Sequence, residues 1–131
     1  MSSEPVGSSA PGSDTVGDME LVQLARRISQ WRRKRDALFA PLSFADPEWD
    51  ILLDLFTQGG FDRRVSMSSL CIAASVPTTI AMRCISAMVE QGVLARSRDP
   101  GDARRVLIEL TEETRAKMRT WLLGVARAQT R

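Results

Sequence analysis

The fold is decided by residues 65–111, which read VSMSSLCIAASVPTTIAMRCISAMVEQGVLARSRDPGDARRVLIELT. The first half predicts two short helices, because apolar residues recur every three or four positions on both sides of a break at residues 75–77. Ser66 can cap the first helix, and Gly92 can end the second. Two short helices separated by a short turn, with small residues in the first, are typical of a helix-turn-helix. The apolar positions expected in these helices are Leu70, Ile72, Ala73 and Ala74 in the first, and Ile80 or Ala81, Cys84, Ile85 and Met88 in the second.

The second half of the same stretch predicts a β-hairpin followed by a helix. An apolar run begins at Val93, a turn-rich segment occupies residues 99–105, and a second run with β-branched residues covers 106–110. Thr111 can cap the next helix, and the two acids that follow it suit the positive end of the helix dipole. The apolar stripe of that helix comprises Met118, Trp121, Leu122 and Val125.

Two further helices are predicted upstream. The first runs from Asp18, its candidate N-cap, to about Phe39, and Pro41 stops it. A helix of that length spans ~30 Å, which is long for so small a domain. The second begins at Asp46, which can cap it, and the glycine pair at 59–60 ends it.

The order of elements predicts a winged helix-turn-helix: helix, helix, very short strand at 64–66, helix-turn-helix, hairpin, helix. The predicted fold class is mainly α with a small β-hairpin (α+β), extended by a long N-terminal helix. Residues 1–17 are mostly Ser, Gly, Pro and acid, and they are predicted to be a disordered leader. The winged-helix domain then covers 18–131, in which the helices at 18–40 and 111–131 are expected to serve dimerisation.

Composition argues against several classes of function. The 131 residues suffice for one domain that folds around a single core without metal or disulfide. The chain has no His, so it lacks an imidazole base and a His metal ligand, and Cys71 and Cys84 come with no further ligands for zinc. We therefore expect no enzymatic activity, no cofactor and no metal. Both thiols are expected to be buried in the core rather than to form a redox switch.

Hydropathy and the first residues bear on where the protein works. No apolar run approaches ~18 residues, so no membrane-spanning segment is predicted. Residues 1–17 contain no basic segment followed by an apolar one, and they do not resemble a signal peptide. We expect a cytoplasmic protein with reduced thiols and no membrane partner.

The charge is distributed unevenly along the chain. Residues 1–20 contain four acids and no base, whereas residues 21–131 contain 18 basic and 12 acidic residues, a net charge of +6. A basic folded part indicates a polyanionic partner such as double-stranded DNA. The densest basic run, at 32–35, is either a solvated helix face or a contact to flanking phosphates.

Two motifs carry a resemblance to a known family. Residues 88–94, MVEQGVL, are similar to the LEEKGLV segment of the MarR family of bacterial transcription regulators. Asp102 and Arg104, followed by Leu110-Thr111, are similar to the D-x-R…LT wing of that family. The resemblance covers about residues 46–122. It implies a sequence-specific, homodimeric regulator of transcription that binds double-stranded DNA.

The resemblance is incomplete at the C-terminus. MarR-family chains usually have a longer C-terminal helical region that dimerises together with the first helix, whereas about twenty residues follow Thr111 here. The geometry of the dimer and the binding of a small-molecule effector therefore stay open. The residues also leave open the operator, the regulated genes and the sign of regulation.

The second helix of the helix-turn-helix is expected to enter the major groove, which accepts a helix and presents a base-specific pattern. Arg83 is the only cation on its outer arc and can donate two hydrogen bonds to a guanine edge. By the resemblance, Arg104 or Arg105 of the wing enters the minor groove, and Asp102 steadies the turn by pairing with Arg104. Capping alone would also explain the two threonines at the helix start. The residues expected at the DNA are Thr78, Thr79, Met82, Arg83, Ser86, Arg96, Arg98, Asp102, Arg104 and Arg105.

The apolar stripes of the first and last helices exceed what one small core can cover, so they predict a homodimer. The residues expected at its contact are Leu21, Leu24, Ile28, Trp31, Trp121, Leu122 and Val125. A rival interpretation is a winged helix that docks on another regulator or on polymerase as a protein-interaction module. The four arginines of the hairpin favour DNA, because a wing that docks on protein has no need of them.

Overall fold

The structure, a computed structural model, describes residues 17–40, 46–58 and 63–129. Within these ranges it contains five helices and three strands, in the order α1 (Asp18–Leu38), α2 (Pro47–Thr57), β1 (Val65–Ser66), α3 (Met67–Ala73), α4 (Thr78–Glu90), β2 (Leu94–Asp99), β3 (Asp102–Leu110) and α5 (Glu112–Gln129). This order confirms the predicted winged helix-turn-helix and its class. The predicted leader up to residue 16, the helix stop at Pro41 and the helix end at 59–60 lie outside the described residues.

The start of α1 differs from the prediction. Gly17 occupies the N-cap position, and Asp18 is the first helical residue. The backbone N–H of Gly17 donates a hydrogen bond of 3.2 Å to the carboxylate of Glu20, which stabilises the first turn although the N-cap residue has no side chain. Asp18 instead pairs with Arg119, so that the beginning of α1 is tied to α5.

Side-chain caps set the starts of α2 and α3, as predicted. The backbone N–H of Trp49 donates a hydrogen bond of 3.3 Å to the Asp46 carboxylate at the start of α2. The backbone N–H of Ser69 donates one of 3.2 Å to the Ser66 hydroxyl at the start of α3. Each cap satisfies one of the N–H groups that a helix start leaves unpaired.

The three strands form one antiparallel sheet in the order β1-β3-β2. β2 and β3 are the predicted hairpin, in which Leu94 lies opposite Leu110. β1 is the predicted short strand, and its Val65 pairs with Ile108 of β3. The two leucines and Ile108 are buried, whereas the first four residues of β3 are exposed. The base of the hairpin therefore packs on the helices, and its tip extends beyond the core.

A single hydrophobic core joins the helices and the hairpin. Burial of one leucine or isoleucine side chain contributes about 1.5–3 kcal/mol to the free energy of unfolding. The core receives at least one large side chain from every helix and from both strands of the hairpin. The largest fully buried side chains are Leu21, Leu24, Ile51, Leu53, Leu55, Leu70, Ile85, Leu94, Ile108, Leu110 and Leu122.

One residue assigned to the apolar face of α3 is wrongly placed. Ile72 is 82% exposed. Leu70, Cys71 and Ala74 are the buried residues here, and at 100° per residue they lie on the side of the helix opposite to Ile72. α3 has only seven residues, so the spacing of its apolar positions cannot define an inner face by itself.

Candidate nucleic-acid interface

α4 is held along its inner face and at its junction with α3. It begins at Thr78, directly after Pro77. α3 and α4 are bent by 112° relative to each other, within the range of about 90–120° found in helix-turn-helix pairs. Ala81, Ile85 and Met88 are buried on the core. The remaining arc of α4 is fixed in direction by these contacts and faces outward.

The outer arc of α4 is exposed where the sequence predicts it. Ala81 is fully buried, whereas Ile80, the other candidate for the same core position, is 44% exposed. Cys84 is half-buried. The outward surface is therefore broader and more apolar than the spacing alone indicates. The six predicted positions are all exposed: Thr78, Thr79, Met82, Arg83, Ser86 and Ala87.

Arg83 is the only basic residue of α4, and its side chain is exposed. It makes no ion pair and no side-chain hydrogen bond with any residue that the structure describes. A guanidinium group carries five N–H donors in a fixed planar arrangement. Arg83 can therefore offer its donors to a partner at the centre of the outer arc.

Two aspartates organise the turn at the tip of the hairpin. The backbone N–H of Gly101 donates a hydrogen bond of 2.9 Å to Oδ1 of Asp99. The backbone N–H of Arg104 donates one of 3.1 Å to Oδ1 of Asp102. Side chains that accept from the backbone two residues ahead are typical of tight turns. They fix the direction in which the following arginines leave the strand.

The two adjacent arginines of the tip differ in their surroundings. Nε of Arg104 lies 3.6 Å from Oδ1 of Asp102, which is the predicted pair, yet the side chain of Arg104 is 94% exposed. Nη1 of Arg105 lies 3.1 Å from Oδ2 of Asp99, and its side chain is 57% exposed. A contact between exposed charges is weak and screened by salt. Arg104 is the more exposed of the two.

The other two arginines of the wing lie along β2. Arg96 and Arg98 are separated by one residue, so they lie on the same face of the strand, and both are exposed. Nη1 of Arg98 donates a hydrogen bond of 2.7 Å to the backbone carbonyl of Ala103, which braces the tip. The hairpin thus presents an exposed basic surface.

The basic run at 32–35 is predicted to be either a solvated helix face or a phosphate contact, and Arg32 is neither. Nε of Arg32 lies 2.8 Å from Oδ1 of Asp50, and the Arg32 side chain is only 16% exposed. This ion pair fastens α1 to α2. Arg35 pairs with Asp36 at 3.1 Å. The phosphate contact predicted for this run stays a prediction for its exposed remainder, residues 33 and 34.

The residues expected at a dimer contact fall into two groups. Leu21, Leu24 and Leu122 are at most 2% exposed and belong to the core of the chain itself, so they cannot serve as an external contact. Trp31 is 50% exposed and Trp121 is 46% exposed. Ile28 and Val125 are half-buried. The predicted contact is thereby reduced to these last four residues.

The two thiols have different environments. Cys71 is buried, and burial raises the pKa of its thiol above the ordinary value. Cys84 is half-buried on α4, and neither residue forms a disulfide. A raised pKa keeps a thiol protonated and unreactive, which agrees with the structural role predicted for Cys71.

The described residues also form clefts away from α4 and the wing. One, of about 660 Å³, is lined in part by Trp49 and Trp121, whose rings meet edge to face with centroids 5.0 Å apart. Another, of about 270 Å³, is polar and is lined by Asp50 and Asp54. Across the three described ranges, no group of three or more His, Cys, Asp or Glu residues is placed to hold a metal ion. Within the same ranges, no single helix is long and apolar enough to cross a membrane.

For three residues the sequence predicts a position but not the role found in the structure. Asp99 lies in the predicted turn, but nothing in the sequence indicates its ion pair with Arg105. The hydroxyl of Thr111 lies 3.0 Å from the carbonyl oxygen of Gly92, which joins the end of α4 to the start of α5. Ile80 is the third, because the exposure of a residue at the edge of an apolar stripe depends on how the helix is rotated in the fold.

A family model described as a winged helix DNA-binding domain matches residues 45–114. The matched segment contains α2, the helix-turn-helix, the whole hairpin and the start of α5. Both parts of the exposed surface, the outer arc of α4 and the tip of the hairpin, lie inside it. No curated protein matches the chain.

Several solved structures are similar to the chain over most of its length. A MarR family transcriptional regulator from Silicibacter pomeroyi is 20% identical with a TM-score of 0.53, covering 91% of this chain and 82% of that one. A mutant of MarR from E. coli, complexed with operator DNA, is 23% identical with a TM-score of 0.52, covering 88% and 84%. The PcaV transcriptional regulator from Streptomyces coelicolor, in complex with its natural ligand, is 25% identical with a TM-score of 0.50, covering 81% and 71%. The likeness confirms the fold that the two sequence motifs imply.

Proposed function

The chain belongs to the winged-helix DNA-binding family and has the fold of MarR-family regulators, and we propose that it is a sequence-specific regulator of transcription that acts on double-stranded DNA in the cytoplasm. The solved structures that it resembles are of transcriptional regulators, a role without catalysis. The observation that supports the proposal is a surface in two parts. The outer arc of α4 and the arginine-bearing tip of the hairpin are both exposed, and one core holds them in place.

In this proposal α4 is the recognition helix. The major groove admits a helix and distinguishes all four base pairs by their pattern of donors, acceptors and methyl groups. The guanidinium of Arg83, which has no partner among the described residues, donates two hydrogen bonds to a guanine. Thr79 and Ser86 lie on the same arc and can contact phosphate or base edges.

The hairpin supplies contacts that depend on charge more than on sequence. A narrow minor groove has an enhanced negative potential that attracts an inserted arginine. Arg104 is our choice for the inserted side chain, because it is 94% exposed while Arg105 is held by Asp99. Asp102 acts indirectly, by accepting the N–H of Arg104 and fixing the turn.

The DNA-binding form is a homodimer in this proposal. Trp31 on α1 and Trp121 on α5 are large, half-exposed aromatic side chains of the type that is enriched at protein interfaces. α1 and α5 pack on each other through the Asp18–Arg119 pair and the shared core, so the proposed contact would draw on both helices. A twofold would place two recognition helices about one helical turn of DNA apart, ~34–36 Å.

The test compares two sets of arginines. Selection from random DNA gives a preferred duplex, and each variant is then bound to this duplex and to a random one over a salt series. Arg83→Ala should cost about 1–3 kcal/mol on the preferred duplex and little on the random one, because it removes a contact to a base edge. Lys117→Ala, which removes a 75% exposed charge from α5, is the matched control and should change neither affinity.

The second arm concerns the hairpin. Substitution of both Arg104 and Arg105 by Ala should weaken binding to both duplexes and lower the salt slope by about one unit for each lost ionic contact. Equal weakening of both duplexes by Arg83→Ala would show that α4 does not read bases. An unchanged affinity and slope in the wing variant, together with selection of no motif, would favour the protein-interaction module.

A further inference from the structure

Two large apolar side chains are exposed on the recognition helix. Ile80 is 44% exposed and Met82 is 45% exposed, on a helix of 13 residues. Single exposed apolar residues are common on protein surfaces. These two are informative because they flank Arg83, the only basic group of the helix, on the surface proposed to meet the DNA.

The period of the α-helix separates the two residues on the outer arc. At 100° per residue, Thr79 and Arg83 lie near the middle of the arc that faces away from Ala81. Met82 lies toward one edge of this arc and Ile80 toward the other. α4 therefore presents hydrogen-bonding groups along its middle and an apolar side chain on each flank.

This arrangement corresponds to the chemistry of a base-pair edge in the major groove. The only apolar group that any of the four pairs presents there is the 5-methyl group of thymine. The methyl group lies at one outer end of the edge, next to the backbone of its own strand, the carbonyl oxygen and the amino group lie nearer the centre, and the purine N7 lies toward the opposite end. A helix lying along the groove thus brings its flanks to the outer positions, where thymine presents its methyl group, and its middle to the oxygen and amino groups.

The free energy of the contact favours thymine over the other bases. Burying a methyl group against Met82 or Ile80 removes apolar surface from water on both sides. The same side chain set against the N7 of a purine would desolvate a polar atom without giving it a hydrogen bond, and against cytosine it would meet C5–H and lack the methyl contact. The gain from one methyl-sized group corresponds to about a fourfold change in affinity.

We propose that α4 selects thymine at two positions of each half-site, one through Met82 and the other through Ile80, with the two thymines toward opposite edges of the groove along whose middle Arg83 lies. The inference rests on the proposed function and specifies the chemistry that this helix recognises. The hairpin favours a similar composition, because an inserted Arg104 prefers the narrow minor groove of A·T-rich DNA.

The experiment replaces thymine by uracil, one position at a time, in the duplex obtained by selection. Uracil keeps the hydrogen-bonding atoms of thymine and lacks only the methyl group, which lies in the major groove and away from the wing. We expect about a fourfold loss of affinity at one or more positions. This loss of affinity on replacing thymine by uracil is called the uracil penalty. In Met82→Ala or Ile80→Ala it should disappear at the position that each residue contacts.

The controls separate a lost contact from a lost fold. Met19→Ala truncates a methionine on α1 that is 70% exposed, and it should leave every uracil penalty unchanged. A cytosine placed at a sensitive position should weaken binding, and 5-methylcytosine should restore part of the loss. Circular dichroism of each variant reports whether the protein is folded.

Three results would overturn the inference while the proposed function stands. The first is preferential binding of the selected duplex in which no thymine-to-uracil replacement changes affinity. The second is a uracil penalty that is identical in the wild type and in both alanine variants. The third is a selected half-site without thymine. Failure to select any DNA above random sequence would instead remove the proposed function itself.

Discussion

Arg115 carries two guanidinium nitrogens, Nε and Nη2, that are buried without a hydrogen-bond partner among the described residues. Burial lowers the pKa of this arginine below its ordinary value, and the nearby charge of Arg63 lowers it further, against the opposing effect of Glu112 and Glu109. Its guanidinium carbon lies 5.9 Å from the centroid of the Phe56 ring. A cation–π contact returns about 0.5–2 kcal/mol, which only partly offsets the cost of about 1–3 kcal/mol for each unpaired donor.

Replacement of Arg115 by Met should therefore raise the free energy of unfolding by about 1 kcal/mol, because it removes buried charge and keeps an apolar chain on Phe56. Arg119→Met is the matched control. It removes an ion pair with an exposed aspartate and should change stability by less than about 1 kcal/mol. Urea unfolding of the three proteins provides the measurement. A loss of stability in the Arg115 variant would indicate that the guanidinium has a partner that compensates its burial.

Asp54 on α2 is, like Arg115, an ionisable residue whose burial disfavours its charged form. Burial raises the pKa of its carboxyl above the ordinary value of 3.8, although Arg33 acts in the opposite direction. A raised pKa in the folded state means that the unfolded chain ionises first as pH rises. The destabilising contribution of Asp54 is therefore absent below the unfolded pKa, grows through the interval between the two pKa values, and is complete above the folded one.

Asp54→Asn removes this titration at nearly constant volume. The free energy of unfolding of the variant should rise relative to that of the wild type as pH is raised from about 4 to about 7, so the variant becomes the more stable of the two. The hydroxyl of Thr57 still donates to the backbone carbonyl of residue 54, so that helix contact is unchanged. Chemical unfolding at several pH values measures the difference. A difference that is constant or shrinks with pH contradicts the assignment of burial as the main cause.

Among the elements, α4 is terminated by Gly92, whose backbone conformation is strained for residues that carry a Cβ atom. Gly92 has a φ of +80°. Its N–H donates to the carbonyl of Val89 at 3.1 Å, and the N–H of Val93 donates to that of Met88 at 2.9 Å. This is the Schellman arrangement, which satisfies carbonyl groups left unpaired at a helix end. It also turns the chain into β2, and so sets the angle between α4 and the hairpin.

A pair of glycine substitutions tests this role. Gly92→Ala should lower the free energy of unfolding by about 1–2 kcal/mol, from backbone strain alone, because nothing lies within 4 Å of the added Cβ. Gly124→Ala is the control. Position 124 also has nothing within 4 Å of an added Cβ but lies inside α5, so the substitution should stabilise the protein by about 0.5–1 kcal/mol. Thermal unfolding distinguishes them, and equal signs would contradict the prediction.

The elements themselves are predictable from the sequence because their signals are local. Asp46 and Ser66 cap the helices that follow them, and Gly92 ends α4. The rotation of each helix is less predictable, since it depends on what packs against it. Ile80 and Ala81 fit the apolar period of α4 equally well, and the packing of α4 in the folded core buries the smaller one. Because Ala81 is buried, Ile80 is left exposed and forms an apolar flank of the candidate site.

At the scale of the whole molecule, the sequence predicts an excess of apolar surface on α1 and α5, but it assigns to the dimer contact several residues that the structure places in the core of the chain. Leu21 and Leu24 of α1 and Leu122 of α5 share one core within the chain. This contact joins residues about a hundred positions apart, and no local pattern reports such a pairing. Only the surface left over after this packing is available to a partner.

That surface supports the last prediction, which concerns assembly. Trp31→Glu should shift a dimer toward monomer by more than about tenfold in dissociation constant, because a buried aromatic anchor contributes about 2 kcal/mol or more to an interface. Ile72→Glu is the control, since Ile72 is 82% exposed on α3 and outside the proposed contact. Sedimentation at several concentrations, with and without DNA, measures the equilibrium. A wild-type protein that sediments as a monomer at tens of micromolar, both free and bound to DNA, would leave the two exposed tryptophans without this role and each recognition helix reading a single half-site.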